Sequence, residues 1–143
     1  MKIETLVIKE LKTVRIKSSD DVLKLTDDLK DKKQEHFITI TLDGARNVIQ
    51  RRIVFIGTLN QSIVHPREIF AGAISDRAAD IILVHNHSSG SLEPSPEDKN
   101  VTDRLIKAGE ILKIKILNHI IVSKKGYYSF QESGLIRKNY QNF

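Results

Sequence analysis

The sequence predicts an α/β domain of three layers, with helices covering both faces of a mixed central sheet. Three observations lead there. Capped amphipathic segments alternate along the chain with β-branched apolar runs. One of those runs, IILV at 81–84, is apolar at every position, as in a strand buried on both sides. The length, 143 residues, suits one domain with a single core.

The elements follow in order. Residues 4–17 (containing LVIKELKTVRI) alternate loosely and read as a strand or hairpin. Residues 18–33 (SSDDVLKLTDDLKDKK) open on capping residues and set Val22, Leu25 and Leu29 at helical spacing, which predicts one helix. HFITITLD (36–43) alternates with period two and predicts a strand. DGAR (43–46) is a turn, and NVIQRRIVFIGTL (47–59) is the hairpin partner. HPREIFAGAISDRAA (65–79) places Pro66 in the first turn of a helix. ADIILVHNH (79–87) is the buried strand, and SPEDKNVTDRLIKAGEILK (95–113) a second amphipathic helix. IKILNHIIVSKKGYYSF (114–130) reads as strand, lysine-glycine turn and short strand, and the tail after Gly134 as frayed.

Composition narrows the chemistry. There is no cysteine, which excludes disulfides, a thiol nucleophile and thiolate-bound zinc, and fits a cytoplasmic location. Any metal must therefore be held by histidine and carboxylate. No apolar run is long enough for a transmembrane helix, and MKIETLVIKELK carries charges unlike a signal peptide, so no membrane partner is expected. The net charge is +5, and residues 99–143 hold nine Lys/Arg against three Asp/Glu, enough to account for the whole surplus. That basic third is either a solvated surface or a face for nucleic acid. Few aromatics interleave with it, so a stacking platform for single strands is not expected.

The chemistry-bearing stretch is HNHSSGSLEPSPED (85–98). Side chains at i and i+2 of a strand point the same way, so His85 and His87 can converge on one ion while Asn86 points away to pack or hydrogen bond. Ser88 to Leu92, with Gly90, can fold the chain back. Asp98 then lies in the first turn of the next helix, within reach of the same point. Two histidines and a carboxylate leave an open position for water on zinc. Ser95-Pro96-Glu97-Asp98 also reads as a plain helix cap, with Ser at N-cap, Pro at N1 and an acid at N3. The cap leaves the histidines unexplained, and the joint pattern H-x-H-x7-S-x-x-D is more specific than either half. The adjacent letters H-N-H are no sign of an HNH nuclease. His36 and His65 read as surface or turn residues, His119 as a satisfied core histidine and Arg67 as a surface residue at a helix start.

His85-Asn86-His87 through Ser95-Pro96-Glu97-Asp98 resembles the JAMM motif of MPN (JAB1-type) metalloproteases. GTLNQSIVHPREIF (57–70), ILVHNHSSG (82–90), PSPED (94–98) and NHIIVSKKGYYSF (118–130) resemble segments of the bacterial RadC branch in the same order. The resemblance spans roughly residues 33–134. It implies a three-layer, cytidine-deaminase-like α/β fold. It also implies a single RadC-like JAMM/MPN domain over 1–143, without the helix-hairpin-helix segment usual upstream in RadC proteins. By the resemblance, His85, His87 and Asp98 would ligate one Zn2+, and Ser95 would donate to the substrate oxyanion. Glu35, before the strand at 36, would be the general base. Glu68 is the rival, with an equally good structural role as a first-turn acid. Two positions depart from the family pattern: Ser88 stands where RadC proteins usually have proline, and Asn118 where an aspartate usually precedes the histidine.

The expected function is therefore a zinc-dependent metallohydrolase, a JAMM-type metalloprotease cleaving a peptide or isopeptide bond of a peptide or protein substrate. The alternative is a DNA-repair-associated accessory protein that binds nucleic acid through the basic C-terminal third, its zinc site structural or vestigial. A scaffolding MPN domain ranks last, because such domains generally lack the ligands.

Overall fold

The structure, a computed structural model, describes residues 14–60 and 64–137. Five strands, β1 (His36–Leu42), β2 (Val48–Ile56), β3 (Asp80–Asn86), β4 (Lys115–Ser123) and β5 (Gly126–Ser129), form one sheet in the order β2-β1-β3-β4-β5. Among the described strands only β3 and β4 pair in parallel; the other neighbours are antiparallel. Antiparallel strands close through tight turns, whereas a parallel pair needs a crossover. That crossover is helix α3 (Pro96–Leu112), which follows α1 (Ser19–Leu25) and α2 (Pro66–Ser75) in the chain.

The pleat divides the core. Phe37, Ile81 and Leu83 face α2 and α3, where they meet Phe70, Val101 and Leu105. Ile38, Ile40, Ile82 and Val84 face the other way, onto Val22 and Leu29. All seven residues of β3 are buried, which is why its sequence shows no alternation. The sheet is thus covered on both faces, the three-layer α/β arrangement expected from the sequence, and it is consistent with a JAB/MPN-like fold. Among the described residues no helix is long and apolar enough to cross a membrane.

Three expectations need correction and one falls largely outside the structure. The helix expected over 18–33 stops at Leu25 and resumes as a 3-10 turn, Asp27–Asp31. The Thr26 hydroxyl donates to the Val22 carbonyl at 2.9 Å and competes with the helical ladder. The tail does not fray at Gly134. The amides of Leu135 and Ile136 donate to the Phe130 carbonyl at 2.8 and 3.2 Å, and Ile136 is 1% exposed against Ile121 and Phe130. His36 is not a surface residue; it opens β1 and is buried, its ring Nδ1 donating to the Gln34 carbonyl at 2.9 Å. Of the strand or hairpin expected over 4–17, residues 4–13 lie outside the described residues, and Arg15 forms an isolated bridge with Asn47.

Candidate metal centre

The centre lies where β3 ends. His85 and His87 leave the same face of the strand, their ring centroids 4.8 Å apart. Asn86 points to the opposite face, as the pleat requires. Its Oδ1 accepts from the His36 amide at 2.7 Å, and its Nδ2 donates to the Gln34 carbonyl at 3.0 Å. These two bonds grip the residues on either side of Glu35. After His87 the chain reverses through Gly90, whose φ of +81° favours glycine and whose amide donates to the His87 carbonyl at 3.0 Å.

Helix α3 then begins with a complete capping box. The Asp98 amide donates to Ser95 Oγ at 3.0 Å, and the Ser95 amide donates to Asp98 Oδ2 at 2.7 Å. The cap and the metal reading are therefore not rivals, because the carboxylate that caps the helix also reaches both imidazoles. Asp98 is 1% exposed. Its Oδ1 lies 3.2 Å from His85 Nε2, and its Oδ2 lies 2.9 Å from His87 Nε2. Burial pushes the Asp98 carboxyl up, but the imidazoles of His85 and His87 and the Ser95 amide outweigh it, so the group stays ionised well below the usual carboxylate range. The Asp98 carboxylate raises His87 above its ordinary value. His87 Nδ1 donates to the Ser91 carbonyl at 2.8 Å, which turns its Nε2 toward the centre.

His85 differs. Its Nε2 is buried with no hydrogen-bond partner among the described residues, although Asp98 Oδ1 lies 3.2 Å away. Behind it, His85 Nδ1 lies 2.7 Å from Nε2 of the buried His119. Phe37 and Phe130 flank these rings at centroid distances of 5.8 and 4.5 Å. Burial, and next the neighbouring His85, hold His119 well below the ordinary histidine range. His119 is thus a satisfied core histidine, as expected, but one that touches the centre. Asn118 is turned to structural work: its Oδ1 accepts the amides of His119 and Gln131 at 2.8 and 3.0 Å, and none of these contacts requires a charge there.

Glu35 approaches from the solvent side. Glu35, His85 and His87 offer donor atoms within 4.8 Å of one another, a grouping able to hold a metal ion. Glu35 is half-buried and Asp98 fully buried, and both carboxylates reach the imidazoles. An open cleft of about 430 Å³ leads to the centre, and Glu35, Ser88, Glu93, Ser95 and Glu97 are among its lining residues. Arg67 and Glu68 pair with each other at 3.8 Å on the exposed start of α2 and are not among the residues lining the cleft.

The donor set fits a metal. Zinc bonds of about 2.0–2.1 Å in a tetrahedron set neighbouring donor atoms roughly 3.3 Å apart, close to the two imidazole-carboxylate distances given above. An unbonded buried nitrogen facing a carboxylate oxygen is costly unless a cation or proton lies between them.

The mixed sheet and its flanking helices are consistent with a JAB-type α/β domain. The family model of the RadC-like JAB domain matches residues 16–135, and the chain belongs to that family. It is 49% identical over 129 residues to a UPF0758 protein of Methanospirillum hungatei, covering 89% of this chain and 57% of that protein. A UPF0758 protein of Trichlorobacter lovleyi is 51% identical over 109 residues (76% and 47%). One of Shouchella clausii is 46% identical over 129 residues (88% and 56%). The chain spans about half the length of these curated relatives.

Proposed function

We propose that this domain is a zinc-dependent amide hydrolase, cleaving a peptide or isopeptide bond, with one Zn2+ held by His85, His87 and Asp98. The observation that carries the reading is the buried, unbonded Nε2 of His85, set against the Asp98 carboxylate where His87 and Glu35 converge. Bound there, zinc supplies a water of lowered pKa and a Lewis acid for a carbonyl. Asp98 is the buried carboxylate and acts as ligand. Glu35 stands at the cleft and acts as base, taking the proton of the attacking water and passing it to the leaving amine. The products are a carboxylic acid and an amine. Ser95 Oγ accepts the Asp98 amide, which leaves its own hydrogen to donate to the oxyanion forming on the substrate carbonyl.

The cleft also supports a polypeptide substrate over a phosphodiester. Glu35, Glu93, Glu97 and Asp98 line it, with no lysine or arginine among the described lining residues. A nucleic-acid-binding accessory role would draw instead on the basic residues of 99–143, of which none described lines the cleft. A cytoplasmic setting suits a chain without cysteine.

The test is metal analysis together with a peptide-library cleavage screen. Wild type should hold ~1 zinc per chain, and His85→Ala should lose it. A hundredfold excess of zinc over Kd should stabilise wild type by about 2.7 kcal/mol in a thermal melt. Glu35→Gln should keep the metal and abolish cleavage. Loss of cleavage in Glu68→Gln, with Glu35→Gln active, would move the base. Wild type that binds no zinc, or zinc content unchanged in His85→Ala, overturns the reading.

A further inference from the structure

This inference rests on the zinc reading and concerns how His85 is prepared as a ligand. Thr102 sits one turn after Asp98 in α3. Its Oγ1 lies 2.7 Å from the Asp98 carbonyl and 2.6 Å from His119 Nδ1. A carbonyl only accepts, and a hydroxyl has one hydrogen. That hydrogen goes to the Asp98 carbonyl, so Oγ1 must accept from an N–H on His119 Nδ1. His119 is 0% exposed and stands between Phe37 and Phe130, with no carboxylate bonded to it, so a second ring proton would be a buried charge without a hydrogen-bonded counterion. Its Nε2 is therefore a bare lone pair. The contact between that Nε2 and His85 Nδ1, 2.7 Å, then needs the hydrogen on His85. With its Nδ1 hydrogen committed to His119, His85 has Nε2 left to face Asp98. That Nε2 lies 3.2 Å from Asp98 Oδ1 without a hydrogen bond, and a cation between them satisfies both.

We propose that Thr102 and His119 are positioning residues that fix the tautomer of His85, through a chain of hydrogen bonds running from the Asp98 carbonyl to the ligand ring. The chain begins and ends on ligand residues, so the first turn of α3 and the end of β3 set each other's donor atoms. His87 achieves the same tautomer through the Ser91 carbonyl, a backbone device that no side-chain replacement removes. The His85 device is made of side chains and can be broken.

The experiment uses the full chain labelled with nitrogen-15, first metal-free. Long-range proton–nitrogen correlation spectra distinguish a protonated ring nitrogen from a bare one. His85 should show Nδ1 protonated; a bare Nδ1 overturns the proposal. Thr102→Val, nearly isosteric, removes the acceptor of the His119 proton. It should mix the His85 tautomers and weaken zinc binding by roughly 10–100-fold, the usual effect of losing a partner behind a metal ligand. Thr102→Ser should restore both the spectrum and the affinity. A folded Thr102→Val with wild-type zinc Kd overturns the proposal. Should Thr102→Val fail to fold, the wild-type spectrum and Thr102→Ser still decide. Wild type that binds no zinc but shows the Nδ1-protonated form sinks the zinc reading and leaves the relay standing.

Discussion

Replacing Asn86 with alanine tests how a residue between two histidines of the centre positions a third group. Asn86 is 2% exposed and makes three bonds: it accepts the His36 amide at 2.7 Å and donates to the Gln34 and Lys32 carbonyls at 3.0 and 3.4 Å. Alanine removes all three. The His36 amide is left without that partner inside the fold, at a cost of about 1–3 kcal/mol. The Gln34 carbonyl keeps the His36 ring, so only one bond of about 1 kcal/mol is lost there. The Lys32 carbonyl is at the surface, where water replaces the long third bond. The expected loss is about 2–4 kcal/mol, less than the 5–15 kcal/mol typical of a whole domain, so the variant should still fold. Urea denaturation of metal-free protein reads the loss, and metal analysis reads the site. Zinc content should stay near wild type, because both imidazoles keep their own partners. Hydrolysis should fall, because Glu35 is no longer gripped from both sides. A variant within about 0.5 kcal/mol of wild type would refute the accounting. A folded variant without zinc would show that Asn86 serves the ligands rather than Glu35.

Two further outcomes concern the frame. Arg52 holds Asp76 with two bonds of 2.6 Å, and Thr41 adds one of 2.7 Å, tying β2 and β1 to the end of α2. The Arg52 guanidinium lowers Asp76 below its ordinary value of 3.8. The stabilisation is therefore complete above that value and disappears as pH falls through the lower, folded one. Asp76→Asn should cost about 1 kcal/mol at pH ~7, with the gap to wild type closing as pH falls below the ordinary value of 3.8; an equal gap at neutral and strongly acidic pH in urea titrations would contradict this. Gly109→Ala ordinarily gains about 1 kcal/mol of helix propensity. Here the added Cβ would run into the Ile114 carbonyl oxygen, where the chain folds back after α3. The variant should lose about 1–3 kcal/mol net, read by chemical denaturation, and a stabilised variant would disprove the close approach.

The linear pattern of residues carried whatever depends on backbone geometry over a few positions. Period two in HFITITL and the unbroken apolar run at 81–84 placed the strands, and proline after a capping residue placed both long helices. His85 and His87 share a face because the pleat repeats every two residues, and Asp98 sits at N3 because Ser95 caps the helix. Even the conflict between cap and ligand dissolved locally, since one carboxylate has two oxygens. Three-dimensional packing decided the rest. His119 meets His85 only because β4 pairs in parallel with β3 across the α3 crossover, bringing together residues 34 positions apart. Asn86 grips Gln34 and His36 across some 50 positions because β1 lies antiparallel beside β3. Thr26 breaks a helix, and Ile136 pins a tail, for reasons set by side-chain contacts rather than by period. Short-range periodicity follows from φ, ψ and the pleat, so it is written in neighbouring letters. Hydrogen-bond chains between strands depend on register, and register exists only once the core has closed.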